Sequence, residues 1–296
     1  MKIIICDVGN AASTFVTSQN GNTMMIDCGN HPDKPNPIDT FIQNQKWLGA
    51  KSFGPHLITL LHITHPDDDH VRNAKNVFEK LYPYLVACVH SEEFSDGAKI
   101  NLDYKEFIDK KYRGIPTSVE WDFSTWTWSI PIATCRVEAS LKQKERNNSS
   151  IIRFIQANGV GVLFCGDLET PGWDYLIATR PDFAQTVQGR VNILIAPHHG
   201  HESGFSEKLF DVIGDVDVVI LSKGSEANID GTDVSTKYSE HARGHVYCPD
   251  NDKKSEYKGK VLTTRSNGTI FIDATEKFGT YTISTDKASP NHTKLK

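Results

Sequence analysis

The sequence predicts a layered α/β fold, and three observations carry that prediction. Short β-branched runs alternate with stretches of helical apolar spacing through the first 90 residues, the order expected where helices cover the faces of a sheet. Two pairs of strands are joined across Asn20-Gly21 and Asn158-Gly159, a dipeptide that readily supplies the positive φ angles of a tight hairpin. Four apolar strands stop in acids or histidines, and strand ends are where open α/β architectures place their chemistry.

Taken in order, residues 2–6 form a strand that runs into Asp7-Val8-Gly9-Asn10, and residues 13–18 and 23–26 form the first hairpin, ending in Asp27-Cys28-Gly29. Prolines at 32, 35 and 37 mark a loop, and Ile38, Phe41, Ile42 and Leu48 predict a helix over 38–48. Residues 57–61 read as a buried strand, 71–81 as a helix and 85–90 as a strand. From 91 to 146 the signal weakens. Residues 103–112 suit a charged helix, and a β-rich stretch from Trp121 continues by alternation through 130–141, with Trp121, Trp126 and Trp128 read as core and edge packing. Residues 151–156 and 160–165 make the second hairpin, which ends in Gly166-Asp167. A helix around 173–178 precedes a strand over 191–196 that ends in Pro197-His198-His199-Gly200-His201. Residues 205–213 read as a helix, 217–222 as a strand and 235–241 as a polar helix. A final hairpin is expected from 261–264 and 269–272 across Asn267-Gly268. One domain over 1–285, less regular at 91–146, then leads into a polar tail over 286–296 that is expected to fray.

At 296 residues, 38% hydrophobic and 23% charged, the composition is that of an ordinary globular chain. No run approaches a membrane span, and Met1-Lys2-Ile3-Ile4-Ile5-Cys6-Asp7 is too short in apolar residues for a signal peptide, so a cytoplasmic protein without membrane contact is expected. The six cysteines form no C-x-x-C pair and read as reduced thiols. A net charge of −5 exerts no bulk pull on nucleic acid, so binding of that kind requires a local basic patch. Nothing in the sequence specifies protein partners or an oligomeric state.

The densest chemistry lies at Leu61-His62-Ile63-Thr64-His65-Pro66-Asp67-Asp68-Asp69-His70. His65, Asp67, Asp69 and His70 stand at the spacing H-x-D-x-D-H, directly after a buried strand. Three consecutive aspartates repel one another on any helix or strand face, whereas divalent metals favour mixed His/Asp shells. If the strands lie side by side, Asp27, this cluster, Asp167 and the His198/His199 pair converge at one edge. Together they supply donors for two metal ions, with a carboxylate such as Asp167 suited to bridging both.

The ordered runs D-V-G-N-A (7–11), I-D-C-G (26–29), T-H-P-D-D-D-H (64–70), N-N-S-S-I (147–151), F-C-G-D (164–167) and A-P-H-H-G (196–200) resemble the metallo-β-lactamase superfamily, and within it the soluble hydrolase domain of ComEC-type DNA-uptake proteins and their stand-alone relatives. The resemblance implies an αββα four-layer sandwich with two divalent ions, Zn²⁺ or Mn²⁺, at one edge. His65, Asp67, Asp69 and His70 match the metal-binding motif, with Asp67 in place of a second histidine. Asp167 matches the bridging aspartate, His198 or His199 the late histidine, and Asp27 an acid that orients ligands from behind. Where most of the superfamily has a histidine ligand before the bridging aspartate, this chain has Asn147-Asn148-Ser149-Ser150, which implies a looser site open to Mg²⁺ as well.

The resemblance further implies a hydrolase that uses a metal-held hydroxide, with a phosphodiesterase or nuclease acting on nucleic acid or a nucleotide as the leading expectation. Asp69 and Asp167 are its catalytic carboxylates, and His241 is a candidate general acid or phosphate contact. Lys142, Lys144 and Arg146 would border such a site. Hydrolysis of a lactone, thioester or other small ester or amide is a second expectation, with a more apolar cleft. A non-catalytic metal-binding sensor or partner module is the third. His62 and His90, in or at the end of apolar strands, are expected to be structural.

Overall fold

The computed structural model describes residues 1–112, 119–224, 234–249 and 255–295. The strands are β1 (Lys2–Ile5), β2 (Ser13–Thr17), β3 (Thr23–Cys28), β4 (Leu60–His62), β5 (Leu85–Ala87), β6 (Ser124–Trp128), β7 (Ile152–Ala157), β8 (Val160–Phe164), β9 (Ile193–Ile195), β10 (Val218–Leu221), β11 (His245–Pro249), β12 (Tyr257–Gly259), β13 (Val261–Thr263), β14 (Ile270–Asp273), β15 (Thr282–Thr285) and β16 (Thr293–Lys294). They form two sheets, in the orders β16-β12-β11-β15-β14-β1-β2-β3-β4-β5 and β13-β10-β9-β8-β7-β6. Helices α1 (Pro37–Leu48), α2 (Asp68–Val71) and α3 (Ala74–Leu81) belong to the first half of the chain. Beyond them come α4 (Ile132–Val137), α5 (Glu145–Asn148), α6 (Thr170–Thr179), α7 (Pro181–Val187), α8 (Glu207–Ile213), α9 (Ser235–Glu240) and α10 (Thr264–Asn267).

Alternation along the strands sorts their side chains into three apolar layers. Ile3, Ile5, Val16 and Ile26 of the larger sheet meet Ile155, Val162, Ile193 and Ile220 of the smaller one between the sheets. Ile4, Phe15 and Met25, on the opposite face, pack against Ile38 and Phe41 of α1 and Val77 and Leu81 of α3. Phe154, Leu163 and Leu194 pack against Trp173, Phe183, Leu209 and Tyr238 of α6 to α9. The result is the helix–sheet–sheet–helix sandwich expected from the sequence.

Local chemistry explains several element boundaries. Asn36 Oδ1 accepts from Ile38 N at 2.9 Å, Pro37 opens α1 where no amide donor is needed, and Gly49 closes it at φ 72°. Asn158 and Gly159, at φ 53° and 87°, turn β7 into β8. The helix expected over 71–81 is two pieces, α2 and α3, with Asn73 outside helical geometry between them.

Three expectations are corrected. The alternation read as strand through 130–141 contains α4, because Pro131 precedes a helical turn that buries Ile132 and Cys135 three positions apart. The final hairpin does not exist: β13 pairs in parallel with β10, β14 pairs with β1 and β15, and α10 carries the chain from one sheet to the other, with Gly268 at φ 70°. The tail does not simply fray, since β16 adds an antiparallel edge to β12 and Ser289 N bonds the Tyr247 hydroxyl at 3.1 Å. Among the described residues no helix is long and apolar enough to cross a membrane.

Two polar side chains link the sheets below the strand ends. His62 Nε2 donates to Ile151 O at 3.1 Å, and its Nδ1 accepts from Arg153 Nη2 at 3.2 Å. Burial and the Arg153 charge hold this imidazole neutral, well below its ordinary pKa. A histidine whose folded pKa lies below its unfolded value of about 6.5 stabilises the fold above that pH and loses the contribution as pH falls. In urea unfolding between pH 7.5 and 5, His62 is therefore expected to contribute a loss of stability below about pH 6.5 of up to about 1.4 kcal/mol per pH unit, opposite in sign to the contributions of His70 and His199, whose pKa values are raised. The His62→Gln variant, which keeps a donor and an acceptor, should lack this contribution to the slope; equal slopes would refute this account.

Candidate metal centre

Parallel pairing brings the functional strand ends together. In the β3–β4 register Ile26 lies beside His62, so Asp27 and the segment after β4 leave the larger sheet at the same level. In the β8–β9 register Phe164 lies beside Ile195, which does the same for Asp167 and the His198-His199 pair. The two sheets approach closely here. A Cβ on Gly166, at φ 53°, would lie 2.9 Å from Thr64 Cβ and 3.0 Å from Ser150 Cβ.

The three consecutive aspartates relieve their repulsion by diverging. Asp67 Oδ1 pairs with Arg146 Nη1 at 2.5 Å, Asp68 with Arg72 Nη2 at 2.5 Å, and Asp69 Oδ2 with His199 Nε2 at 3.3 Å. Asp67 and Asp69 thus point toward the strand ends, while Asp68 faces outward and also accepts from Asn101 at 2.8 Å.

Asp167 lies at the centre, buried, with each carboxylate oxygen facing different imidazoles. Oδ1 is 3.1 Å from His70 Nε2 and 3.7 Å from His199 Nε2. Oδ2 is 3.6 Å from His198 Nε2 and 3.8 Å from His65 Nε2, and His65 Nε2 is 3.7 Å from Asp67 Oδ2. Asp69, His70, Asp167 and His199 each offer a donor atom within 4.8 Å of the others.

Groups behind the cluster aim the rings. His70 Nδ1 donates to Asp27 Oδ2 at 2.8 Å, and Asp27 also accepts from Thr64 N at 2.7 Å and Thr64 Oγ1 at 2.9 Å. His199 Nδ1 donates to Ser222 O at 2.9 Å, and His198 Nδ1 bonds Ser203 Oγ at 2.8 Å. Each of these bonds leaves Nε2 facing Asp167. Consecutive left-handed residues, His198 at φ 49° and His199 at φ 53°, swing the two imidazoles onto opposite oxygens; non-glycine residues adopt this backbone rarely, and it concentrates at functional sites.

The charges balance inside the cluster. Burial pushes Asp167 and Asp69 upward, but the His70 and His199 charges outweigh it and hold both well below the usual carboxylate range. Burial likewise works against charge on His70 and His199, and the surrounding aspartates win, raising both. At His198 burial prevails, lowering its pKa and favouring a neutral ring. His65 Nε2 is buried without a hydrogen-bond partner, facing two carboxylate oxygens beyond bonding distance. An imidazole nitrogen left bare among carboxylates fits a divalent ion, as does this His/Asp donor set.

Of the residues singled out in the sequence, the structure brings together Asp27, His65, Asp67, Asp69, His70, Asp167, His198 and His199. Asn147 stands behind them: its Nδ2 donates to Glu169 Oε1 at 3.1 Å, and Ser203 Oγ reaches the same oxygen at 3.4 Å. Asn148 turns away, donating to Leu141 O at 3.2 Å. His241 is not brought to the cluster; it stacks on Phe210 at 4.1 Å between ring centroids and pairs with Glu207 at 3.0 Å. Sequence reasoning missed Glu169, Ser203 and Ser222, of which Glu169 and Ser222 act through contacts more than twenty residues apart. The local hints were the proximity of Glu169 to Asp167 and of Ser203 to His198. Replacing Asp27 with Ala removes the carboxylate that accepts from His70 Nδ1 at 2.8 Å and leaves it the Thr64 hydroxyl at 3.2 Å, so metal affinity by calorimetric titration should fall about 10- to 100-fold; unchanged affinity would show that Asp27 does not orient His70.

A family profile described as the metallo-beta-lactamase superfamily matches residues 6–207, more than half of the chain. Among solved structures, the metallo-beta-lactamase fold protein YhfI from Bacillus subtilis aligns at 10% identity over 90% of this chain and 98% of its own, with a TM-score of 0.45. The metallo hydrolase Igni18 from Ignicoccus hospitalis aligns at 12% identity over 92% and 98%, TM-score 0.45. The short form of human tRNase Z aligns at 12% identity over 77% and 94%, TM-score 0.39. No curated protein matches the chain.

Proposed function

The chain belongs to the metallo-β-lactamase superfamily, whose members are mostly metal-dependent hydrolases, and on that premise we propose that it hydrolyses phosphodiesters of nucleic acid or nucleotides using two divalent ions. The observation that carries the two-ion reading is the division of Asp167: Oδ1 faces His70 and His199, with Asp69 alongside, and Oδ2 faces His65 and His198, with Asp67 alongside. Each set combines two imidazoles with two carboxylates, as Zn²⁺ and Mn²⁺ favour. His198 thereby takes the part of the histidine that Asn147 does not provide, and Ser203, Glu169 and Asn147 hold its ring in place. Divalent ions so held acidify water and draw charge from a phosphoryl or carbonyl oxygen.

The lining next to the centre favours a phosphodiester over a lactone or thioester. A cleft of about 300 Å³ beside Asp67 is lined by Ser95, Asp96, Lys142, Gln143, Lys144, Glu145, Arg146 and Asn147, a polar wall in which three cations stand among the carboxylates of Asp67, Asp96 and Glu145. Such a wall suits a charged, hydrogen-bonding substrate rather than the apolar body of a lactone or thioester. The resemblance of the H-x-D-x-D-H and A-P-H-H-G runs to ComEC-type hydrolase domains points the same way. His241, engaged with Phe210 and Glu207, has no part in this proposal.

Protein purified without chelator is expected to carry about two ions per chain by elemental analysis, and to cleave bis-p-nitrophenyl phosphate when Mn²⁺ or Zn²⁺ is added. His198→Ala should retain about one ion, and Asp167→Ala should lose both along with about a hundredfold or more of the turnover. Metal content and hydrolysis left intact by Asp167→Ala would defeat the proposal. Metal without phosphodiester cleavage in the wild type would instead favour the lactone or thioester reading.

A further inference from the structure

We propose that Arg146 and its cleft form an anion subsite for a second phosphate adjoining the scissile one, with Asp96 as a built-in stand-in for that phosphate. The inference rests on the phosphodiesterase reading and narrows it to substrates carrying at least two phosphates, such as an oligonucleotide.

Arg146 divides its guanidinium between two acids from different segments. Nη1 lies 2.5 Å from Asp67 Oδ1, and Nη2 lies 3.2 Å from Asp96 Oδ2. The other Asp67 oxygen faces His65, so one nitrogen of Arg146 braces a carboxylate of the centre while the second is directed into the cleft. Asp96 is presented to it by its neighbour: Ser95 donates its amide and hydroxyl to Glu145 at 3.1 and 2.8 Å, and Glu145 also accepts from Arg136 at 3.0 Å. Glu145 is thus committed elsewhere, and Lys142 and Lys144 line the same cleft.

Asp96 offers Nη2 one carboxylate oxygen, and a phosphate oxygen can take that place while bringing more charge. Both acids are similarly open to water, where an ion pair contributes little, but the contact to Asp96 is the longer one, 3.2 Å against 2.5 Å to Asp67, and is the more readily exchanged. An incoming phosphate therefore displaces Asp96 from Nη2 while Nη1 stays on Asp67, which sets the distance between the scissile bond and the second phosphate.

The test is calorimetric titration of the metal-loaded protein with inorganic phosphate, paired with hydrolysis of thymidine dinucleotides with and without a terminal phosphate. Asp96→Asn removes the competitor and should tighten phosphate binding about three- to tenfold. Arg146→Met should weaken it about tenfold and abolish the preference for the terminally phosphorylated dinucleotide. Elemental analysis checks that Arg146→Met keeps its metal; if it does not, Asp96→Asn, which leaves Arg146 and Asp67 in place, decides alone. Unchanged or weaker phosphate binding in Asp96→Asn overturns the subsite even if the wild type cleaves bis-p-nitrophenyl phosphate. Absence of that cleavage with every metal defeats the phosphodiesterase reading, whereas the titration still reads the subsite.

Discussion

The buried carboxylate of Asp167 is the constraint on which the rest of the site depends. A carboxylate removed from water is strongly disfavoured unless it is paired and hydrogen-bonded, and Asp167 meets four imidazole nitrogens between 3.1 and 3.8 Å, two to each oxygen. Its backbone amide is also engaged, donating to Ser150 Oγ at 3.1 Å. The geometry requires two sheets to end at one level, because His65 and His70 follow a strand of the larger sheet and Asp167, His198 and His199 follow strands of the smaller one. The apolar layer between the sheets is what holds those ends in register.

The supporting groups are as particular as the cluster. Asp27, Ser222 and Ser203 each occupy one Nδ1, which settles the face that three of the imidazoles present. Ser203, Glu169 and Asn147 form one connected group behind His198: Asn147 Nδ2 donates to Glu169 Oε1, and Ser203 Oγ meets both that oxygen and His198 Nδ1. Local strain accompanies this arrangement. Asp27, His198 and His199 all have positive φ, a conformation costing of order 1–3 kcal/mol each, and it persists because hydrogen bonds hold each side chain to a partner from another element.

Much of the fold was legible in the sequence because its causes are local. The Asn158-Gly159 turn, the Asn36 cap with Gly49 at the far end of α1, and the alternation of β1 to β3 all follow from dihedral preference and periodicity. Where two structures share one local pattern, the sequence reading failed. Ile130 to Leu141 alternates well enough for a strand, yet Pro131 and the burial of Ile132 and Cys135 make a helix. Thr264-Arg265-Ser266-Asn267-Gly268 carries the chemistry of a hairpin turn, but Val261 lies beside Val219 in one sheet and Ile270 beside Ile5 in the other. Partner strands, not the turn, decide that outcome.

The sequence by itself determined which candidate donors meet at the strand ends, since His65, Asp67, Asp69, His70, Asp167, His198 and His199 announce themselves by residue type and by their place after apolar strands. Tertiary structure alone decided how the donors divide, with His198 and His199 on opposite oxygens of Asp167. It also turned His241 toward Phe210 and brought Glu169 and Ser203 to the margins of the centre. The physical reason is range: chemical type and strand ends are written within a few residues, whereas the direction of a ring depends on hydrogen bonds to groups outside its own element, from Ser203 five residues beyond His198 to Asp27 forty-three before His70, which are placed only when the two sheets close on one another.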